Sequence, residues 1–142
     1  MLYLDTGCLV KLYYPEPDSI AVAKPVSGKL ITFTDLHELE ISTAMQLKVF
    51  RGEASREQVT AALNLVREDL ASGKLYRGGL GLHSAMRDAV TMALEHAASI
   101  GCRSLDILHC ALAKATKAEA FLSTDSRQLE VARAVSLPIL SF

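Results

Sequence analysis

Short apolar runs alternate along the chain with stretches whose apolar residues recur every three or four positions. The runs are Met1 to Leu4 ("MLYL"), Lys29 to Thr34 ("KLITFT"), Glu119 to Thr124 ("EAFLST") and the closing "LPILSF". Their length and apolar character predict buried strands. Helical spacing begins at Leu9 and stops at Tyr14, before Pro15. Asp18 and Ser19 can cap a short helix through Ala23. A longer helix is predicted from Asp35 to Arg51, ended by Gly52. Ser55 and Gln58 form a capping box that starts the next, which runs to about Ala71. "GKLYRGGLG" (Gly73 to Gly81) reads as a loop with a weak strand at its start. Ser84 to Ser99 is amphipathic and is broken by Gly101. Leu105 to about Lys117, capped by Ser104, is apolar on most sides and should be buried. Ser126 to Ala134 is a last short helix.

The predicted order is β-α-β-α-α-(β)-α-α-β-α-β. Strands that alternate with helices argue for an α/β fold, with a parallel sheet covered on both faces. In such sheets, sites open at the carboxyl ends of the strands, near the point where strand order reverses. A length of 142 residues predicts one domain, 1–142, with one core. Half the residues are hydrophobic and 22% are charged, an ordinary globular balance. The apolar start is too short for a signal peptide or a membrane span, so a cytoplasmic protein without a membrane partner is expected. Cys8, Cys102 and Cys110 form no C-x-x-C motif and are expected to be buried thiols. A net charge of −1 argues against a non-specific nucleic-acid binder but does not exclude a local basic patch.

Asp5-Thr6-Gly7 is the D-T-G triplet of aspartic proteases. Those enzymes are all-β and need two such triplets, or one per subunit in a small all-β dimer, so that two carboxylates share a proton. A mostly helical chain with one triplet at its start is not of that kind. A haloacid-dehalogenase-type phosphatase would need a second Asp two residues after the first, and Gly7 stands there. What survives is an aspartate at the end of the first buried strand.

Three more carboxylates sit among apolar neighbours: Glu40 in "LHELEISTAM", Asp106 in "SLDILHCALA" and Asp125 after "AFLST". Each has a plain reading: Asp106 as an acid favoured by a helix N-terminus, Asp125 as a helix cap, Glu40 as a solvated side chain. Together they say more. In a parallel sheet Asp5 and Asp125 reach the same edge, and Asp106 and Glu40 lie near helix starts that can open there. Four converging carboxylates repel one another, and a hard divalent cation such as Mg²⁺ or Mn²⁺ relieves that repulsion. Such a cation also activates water and neutralises charge on a phosphate.

The blocks "YLDTGCLVKLYYPEPDS", "LHELEISTAMQLKVFRGEAS", "SLDILHCALA" and "AEAFLSTDSRQLEVARAVSLPIL" resemble, in order and spacing, those of PIN-domain proteins, especially VapC-type toxins of toxin–antitoxin pairs. The resemblance covers nearly the whole chain. It implies a three-layer α/β/α sandwich with a central, mostly parallel sheet of four or five strands. It also implies a ribonuclease dependent on Mg²⁺ or Mn²⁺, with Asp5, Glu40, Asp106 and Asp125 as catalytic and metal-binding acids. Thr6 and Thr124 fall at hydroxyl positions that can orient a carboxylate or a metal-bound water. Implied partners are an RNA substrate, a VapB-type antitoxin and a second copy in a homodimer.

Two departures bear on this. Gly7 replaces a residue that is usually Ser or another small polar one, and Glu38 competes with Glu40 for the second acid. The register of the downstream "ISTAM" favours Glu40. The rival readings are a degenerate PIN-like module that only binds RNA or protein, and a phosphotransfer enzyme on a similar sheet. Lys11, Lys48, Arg51 and Arg127 are candidates to hold an RNA backbone. His109 is expected to be structural or to support the acids, and His37, His83 and His96 to lie on the surface. Tyr13 and Tyr14 are expected to pack beside the first helix or to face a partner. Apolar residues on the pair from Asp35 to Ala71 exceed what a small sheet covers, which points to dimerisation or an antitoxin helix.

Overall fold

The computed structural model describes residues 1–78 and 81–141. Four strands, β1 (Leu2–Leu4), β2 (Ile31–Thr32), β3 (Leu75–Tyr76) and β4 (Ala120–Leu122), pair in the order β3-β2-β1-β4. Every pairing is parallel, with Leu2 opposite both Ile31 and Ala120, and Leu4 opposite Leu122. The chain moves outward from β1 through β2 to β3, then returns to β1's other side as β4. The order therefore reverses between β1 and β4, where α/β sheets open their sites.

The pleat divides the core in two. Leu2 and Leu4 point into a cluster with Leu9 of α1 (Thr6–Tyr13), Val22 of α2 (Ser19–Val26), Ile41 and Met45 of α3 (Asp35–Phe50), and Val59 and Val66 of α4 (Arg56–Ala71). Tyr3 and Phe121 point the other way. They meet Ala89 of α5 (Leu82–Ile100), Ile107 and Leu112 of α6 (Ser104–Ala115), and Val131 of α7 (Ser126–Ala134). Helices thus cover both faces, which makes the three-layer α/β/α arrangement. Tyr3, Leu4 and Phe121 are fully buried, and each such side chain contributes roughly 1.5–3 kcal/mol. No helix among the described residues is long and apolar enough to cross a membrane.

Several boundaries differ from the sequence reading. α1 starts at Thr6, three residues before Leu9, because the Asp5 carboxylate caps it. α2 continues to Val26, through Pro25. α5 starts at Leu82 and ends at Gly101, whose φ of +71° is the left-handed cap that glycine adopts without strain. The N-cap of α6 is Arg103, and Ser104 is already helical. The second strand shrinks to Ile31–Thr32. The closing run is no strand but a single bridge from Ile139 to Phe121, with Phe142 outside the described residues. The weak strand predicted at the start of the Gly73 to Gly81 loop is β3, and Gly79 and Leu80 of that loop lie outside the described residues.

Candidate active site

The four singled-out carboxylates sit at the first or second turns of four helices. Asp5 ends β1 and caps α1: its Oδ1 accepts the Cys8 backbone N–H at 2.6 Å. Its Oδ2 accepts a short hydrogen bond from the Ser123 hydroxyl, just past β4. The same hydroxyl oxygen accepts the Asp125 N–H at 3.0 Å. Ser123 therefore ties Asp5 to the turn that carries Asp125. Asp125 caps α7, with Oδ1 accepting from Arg127 N–H at 2.9 Å and Gln128 N–H at 3.1 Å.

Asp106 is the third residue of α6. Its Oδ2 reaches back to Arg103, accepting the backbone N–H at 3.1 Å and Nε–H at 3.3 Å. Gln128, buried on α7, donates from Nε2 to the Asp106 carbonyl at 3.4 Å and so joins the starts of α6 and α7. Glu40, in the second turn of α3, leans on its neighbours through one oxygen. Oε2 accepts from the Thr6 hydroxyl at 2.6 Å and from His109 Nε2 at 2.6 Å. Burial alone would push the Glu40 carboxyl up, but these donors outweigh it and leave it below its ordinary value. Glu38 turns away to the surface, where it pairs with Arg77 Nη1 at 2.7 Å.

One residue is added to the sequence reading here and one expectation, that of His37, is corrected. Thr124 is exposed and makes no side-chain hydrogen bond among the described residues; Ser123, which the sequence reading missed, orients the carboxylate. The signal was the register: Leu4 faces Leu122, so the residue beside Asp5 is Ser123. His37 is not on the surface but fully buried. Its Nε2–H donates to the Leu4 carbonyl at 2.8 Å and its Nδ1 accepts the Thr34 N–H at 3.0 Å. The ring thereby holds the end of β1 against the start of α3. Burial lowers its pKa to about 3. Cys102 is only half-buried, while Cys8 and Cys110 are buried as expected.

The donors suit a hard cation. All are carboxylate oxygens, the ligands Mg²⁺ and Mn²⁺ take. Glu40 Oε1, Asp106 Oδ1 and Asp125 Oδ2 have no hydrogen-bond partner among the described residues, and none of the three is buried. The fit is one of chemistry rather than of assembled geometry. Among the described residues no three His, Cys, Asp or Glu side chains already stand together as a metal cage. Each acid is instead held by its own cap or clamp; Glu40, Asp106 and Asp125 keep one oxygen to spare, and both oxygens of Asp5 accept hydrogen bonds.

Gly7 faces solvent beside Asp5. A Cβ there would stand 3.6 Å from Asp5 Oδ1, ordinary contact, so space does not demand glycine. Thr6 and Gly7 also line one end of a groove that continues past Lys11, Lys48 and Arg51. Lys48 and Lys11 flank Glu16 at 2.7 and 3.9 Å, and Lys48 lies 4.7 Å from the Tyr14 ring centre. Two lysines share one acid, so the groove keeps a net positive charge. Arg127 is exposed at the start of α7. Tyr13 packs with its hydroxyl on Asp69 at 3.0 Å. His83 is exposed, and His96 lies partly buried beside Glu95.

A parallel sheet whose order reverses beside an aspartate, with three further acids at the neighbouring helix starts, defines the class. The PIN domain family model matches residues 2–134, and the chain belongs to that family. Its fold is similar to VapBC2 from Rickettsia felis, solved bound to a DNA fragment from its promoter (TM-score 0.64, 14% identity, 99% of this chain and 98% of that one). It is likewise similar to FitAcB from Neisseria gonorrhoeae (TM-score 0.62, 14% identity, 99% and 97%). A comparison with curated protein sequences finds no significant match.

Proposed function

We propose that the protein is a metal-dependent endoribonuclease that hydrolyses RNA phosphodiester bonds, and that it is the toxin of a type II toxin–antitoxin pair. The observation that carries the reading is the set of four acids, Asp5, Glu40, Asp106 and Asp125, at four helix starts around the carboxyl ends of β1 and β4. These four would hold Mg²⁺ or Mn²⁺. When bound, such an ion polarises a phosphate oxygen and lowers the pKa of water for attack.

The chain's own residues do the rest. Ser123 and the Cys8 N–H fix both oxygens of Asp5, so its carboxylate presents one orientation. Asp106 and Asp125 keep one free oxygen each while their other oxygen is held. Lys11, Lys48 and Arg51 supply the positive groove that leads from Thr6 and Gly7, where an RNA backbone is drawn in despite the acids. The likeness to VapBC2 and FitAcB supports an antitoxin of VapB type as partner. A homodimer is supported by large apolar side chains left exposed: Leu39, Phe50 and Leu65 on the α3–α4 pair, and Met86, Val90 and Leu94 on α5.

The test is cleavage of a labelled pool of structured RNA with Mn²⁺ or Mg²⁺, and with EDTA, by the wild type and by Asp5→Asn. Cutting that needs metal and disappears in the variant supports the nuclease. A folded wild type that binds no metal overturns it in favour of a binding module.

A further inference from the structure

Glu40 is held differently from the other three acids. Asp5, Asp106 and Asp125 each accept at least one backbone N–H near them in sequence. Among the described residues Glu40 accepts none and is fixed by side chains from distant elements: Thr6 of α1 and His109 of α6. His109 is 3% exposed and Tyr3 is fully buried, so this is an interior arrangement and not a surface contact.

The donors can be ordered. A carboxylate only accepts, so His109 Nε2 carries the hydrogen that bonds Glu40 Oε2. In the neutral ring Nδ1 is then an acceptor, and the Tyr3 hydroxyl lies 2.9 Å from it. A phenol keeps its proton at neutral pH and donates to it. The direction is Tyr3 O–H to His109 Nδ1, then His109 Nε2–H to Glu40 Oε2. Tyr3 also packs edge-on against the His109 ring, with centroids 5.7 Å apart, which fixes the plane of the imidazole.

The placement of these residues gives the chain of bonds its meaning. Tyr3 stands two residues before Asp5 on the same strand. His109 stands three residues after Asp106 on the same helix. The conformation of Glu40 is therefore referenced to the elements that carry two of the other acids. We infer that Tyr3 and His109 are positioning residues that clamp Glu40 through Oε2 and so turn its free Oε1 to the acidic edge, ready for a divalent cation. This deepens the metal-dependent reading above and rests on it.

A merely structural network would give stability and nothing else. The test is Mn²⁺ binding to the folded protein, read by the electron paramagnetic resonance of free Mn²⁺ alongside thermal melting. Tyr3→Phe keeps the ring and removes only the hydroxyl. His109→Leu removes the donor to Glu40, and His109→Gln restores an N–H at similar reach. Mn²⁺ affinity is expected to fall about tenfold in His109→Leu and less in Tyr3→Phe, the usual scale for losing a group that orients a ligand. His109→Gln should recover most of the loss. On a Glu40→Gln background, His109→Leu should cost no further affinity, because the effect runs through Glu40. If wild type binds Mn²⁺ and both Tyr3→Phe and His109→Leu bind it equally well, with only the melting temperature lowered, the positioning role is overturned. If the wild type binds no Mn²⁺, the metal-dependent reading itself fails, and the clamp with it.

Discussion

Lowering the pH from 7 to 5 is expected to destabilise the protein through one buried ring, His37. Its surroundings accept only the neutral form. Nε2–H donates to the Leu4 carbonyl, and Nδ1 faces the Thr34 N–H as an acceptor. A second proton would set Nδ1–H against that N–H. Burial, and next the neighbouring His109 ring, lower the pKa from 6.5 to about 3, and the opposing pull of the Leu4 carbonyl and Glu40 is smaller. The sign follows from linkage. The unfolded chain binds the proton at a pH where the folded chain does not. The stability is fully present above 6.5, and it is lost as pH falls from there toward 3. The loss is about 1.4 kcal/mol per pH unit in that window, which gives roughly 2 kcal/mol between pH 7 and pH 5. Glu40, whose carboxyl is lowered, acts in the same sense only below its unfolded value near 4.5, outside the window. The assay is urea unfolding in EDTA at both pH values, for the wild type and for His37→Gln. The variant loses the ring's packing against Tyr3 and Phe33 and is less stable at pH 7. The gap between the two proteins should narrow by about 2 kcal/mol at pH 5. A gap of the same size at both values would refute the assignment of a neutral, buried His37.

Other outcomes follow from single contacts. Ser123→Ala removes the hydroxyl that serves both Asp5 and the Asp125 N–H; it should cost about 1–3 kcal/mol by urea unfolding and weaken RNA cleavage. Thr124→Ala, one residue on and exposed, should change stability by less than about 0.5 kcal/mol. Thr32 is 1% exposed and its hydroxyl has no partner among the described residues, so Thr32→Val should stabilise by about 1 kcal/mol in the same assay. Gly101→Ala forces a Cβ onto a left-handed residue and should lower stability by about 1 kcal/mol, seen as a lower melting temperature.

The elements were legible wherever a local rule and the burial pattern agreed. Ser55 and Gln58 read as a capping box, and both of its hydrogen bonds are present, at 2.8 and 3.1 Å. The run Ile107 to Ala113, apolar on most sides, is the buried helix it was expected to be. Misreadings came where a side chain overrode propensity. Thr6-Gly7-Cys8 are poor helix formers, yet the Asp5 cap starts α1 there. At α6 the best capping type, Ser104, lost to the reach-back of Asp106 onto the Arg103 N–H. His37 lies in the polar string "DLHELE", where periodicity at a helix start is ambiguous. Only the long-range contact with Leu4, 33 residues away, explains its burial. The acids stand out in the sequence as candidates because carboxylates among apolar residues are costly without partners. Their partners do not, because Ser123 and His109 are 118 and 69 residues from the acids they serve.

The plain reading of Asp106 and Asp125, as helix-start acids, and the functional one are not rivals in this fold. Capping Asp125 and Asp106 each use one oxygen for N–H donors and leave the other free. The cap fixes the rotamer, and the fixed rotamer is what a ligand site requires. Each helix N-terminus also carries about half a positive charge, which favours a carboxylate there. Carboxylates held as caps therefore keep their orientation whether or not a cation binds. The consequence separates two substitutions at Asp125. Asn keeps an oxygen for the Arg127 and Gln128 N–H groups and should leave stability near wild type. Ala loses the cap and should cost about 1 kcal/mol. Both remove the carboxylate, so cleavage should fall alike in the two. If activity instead tracked stability, with Asn retaining it and Ala losing it, Asp125 would be a cap and nothing more.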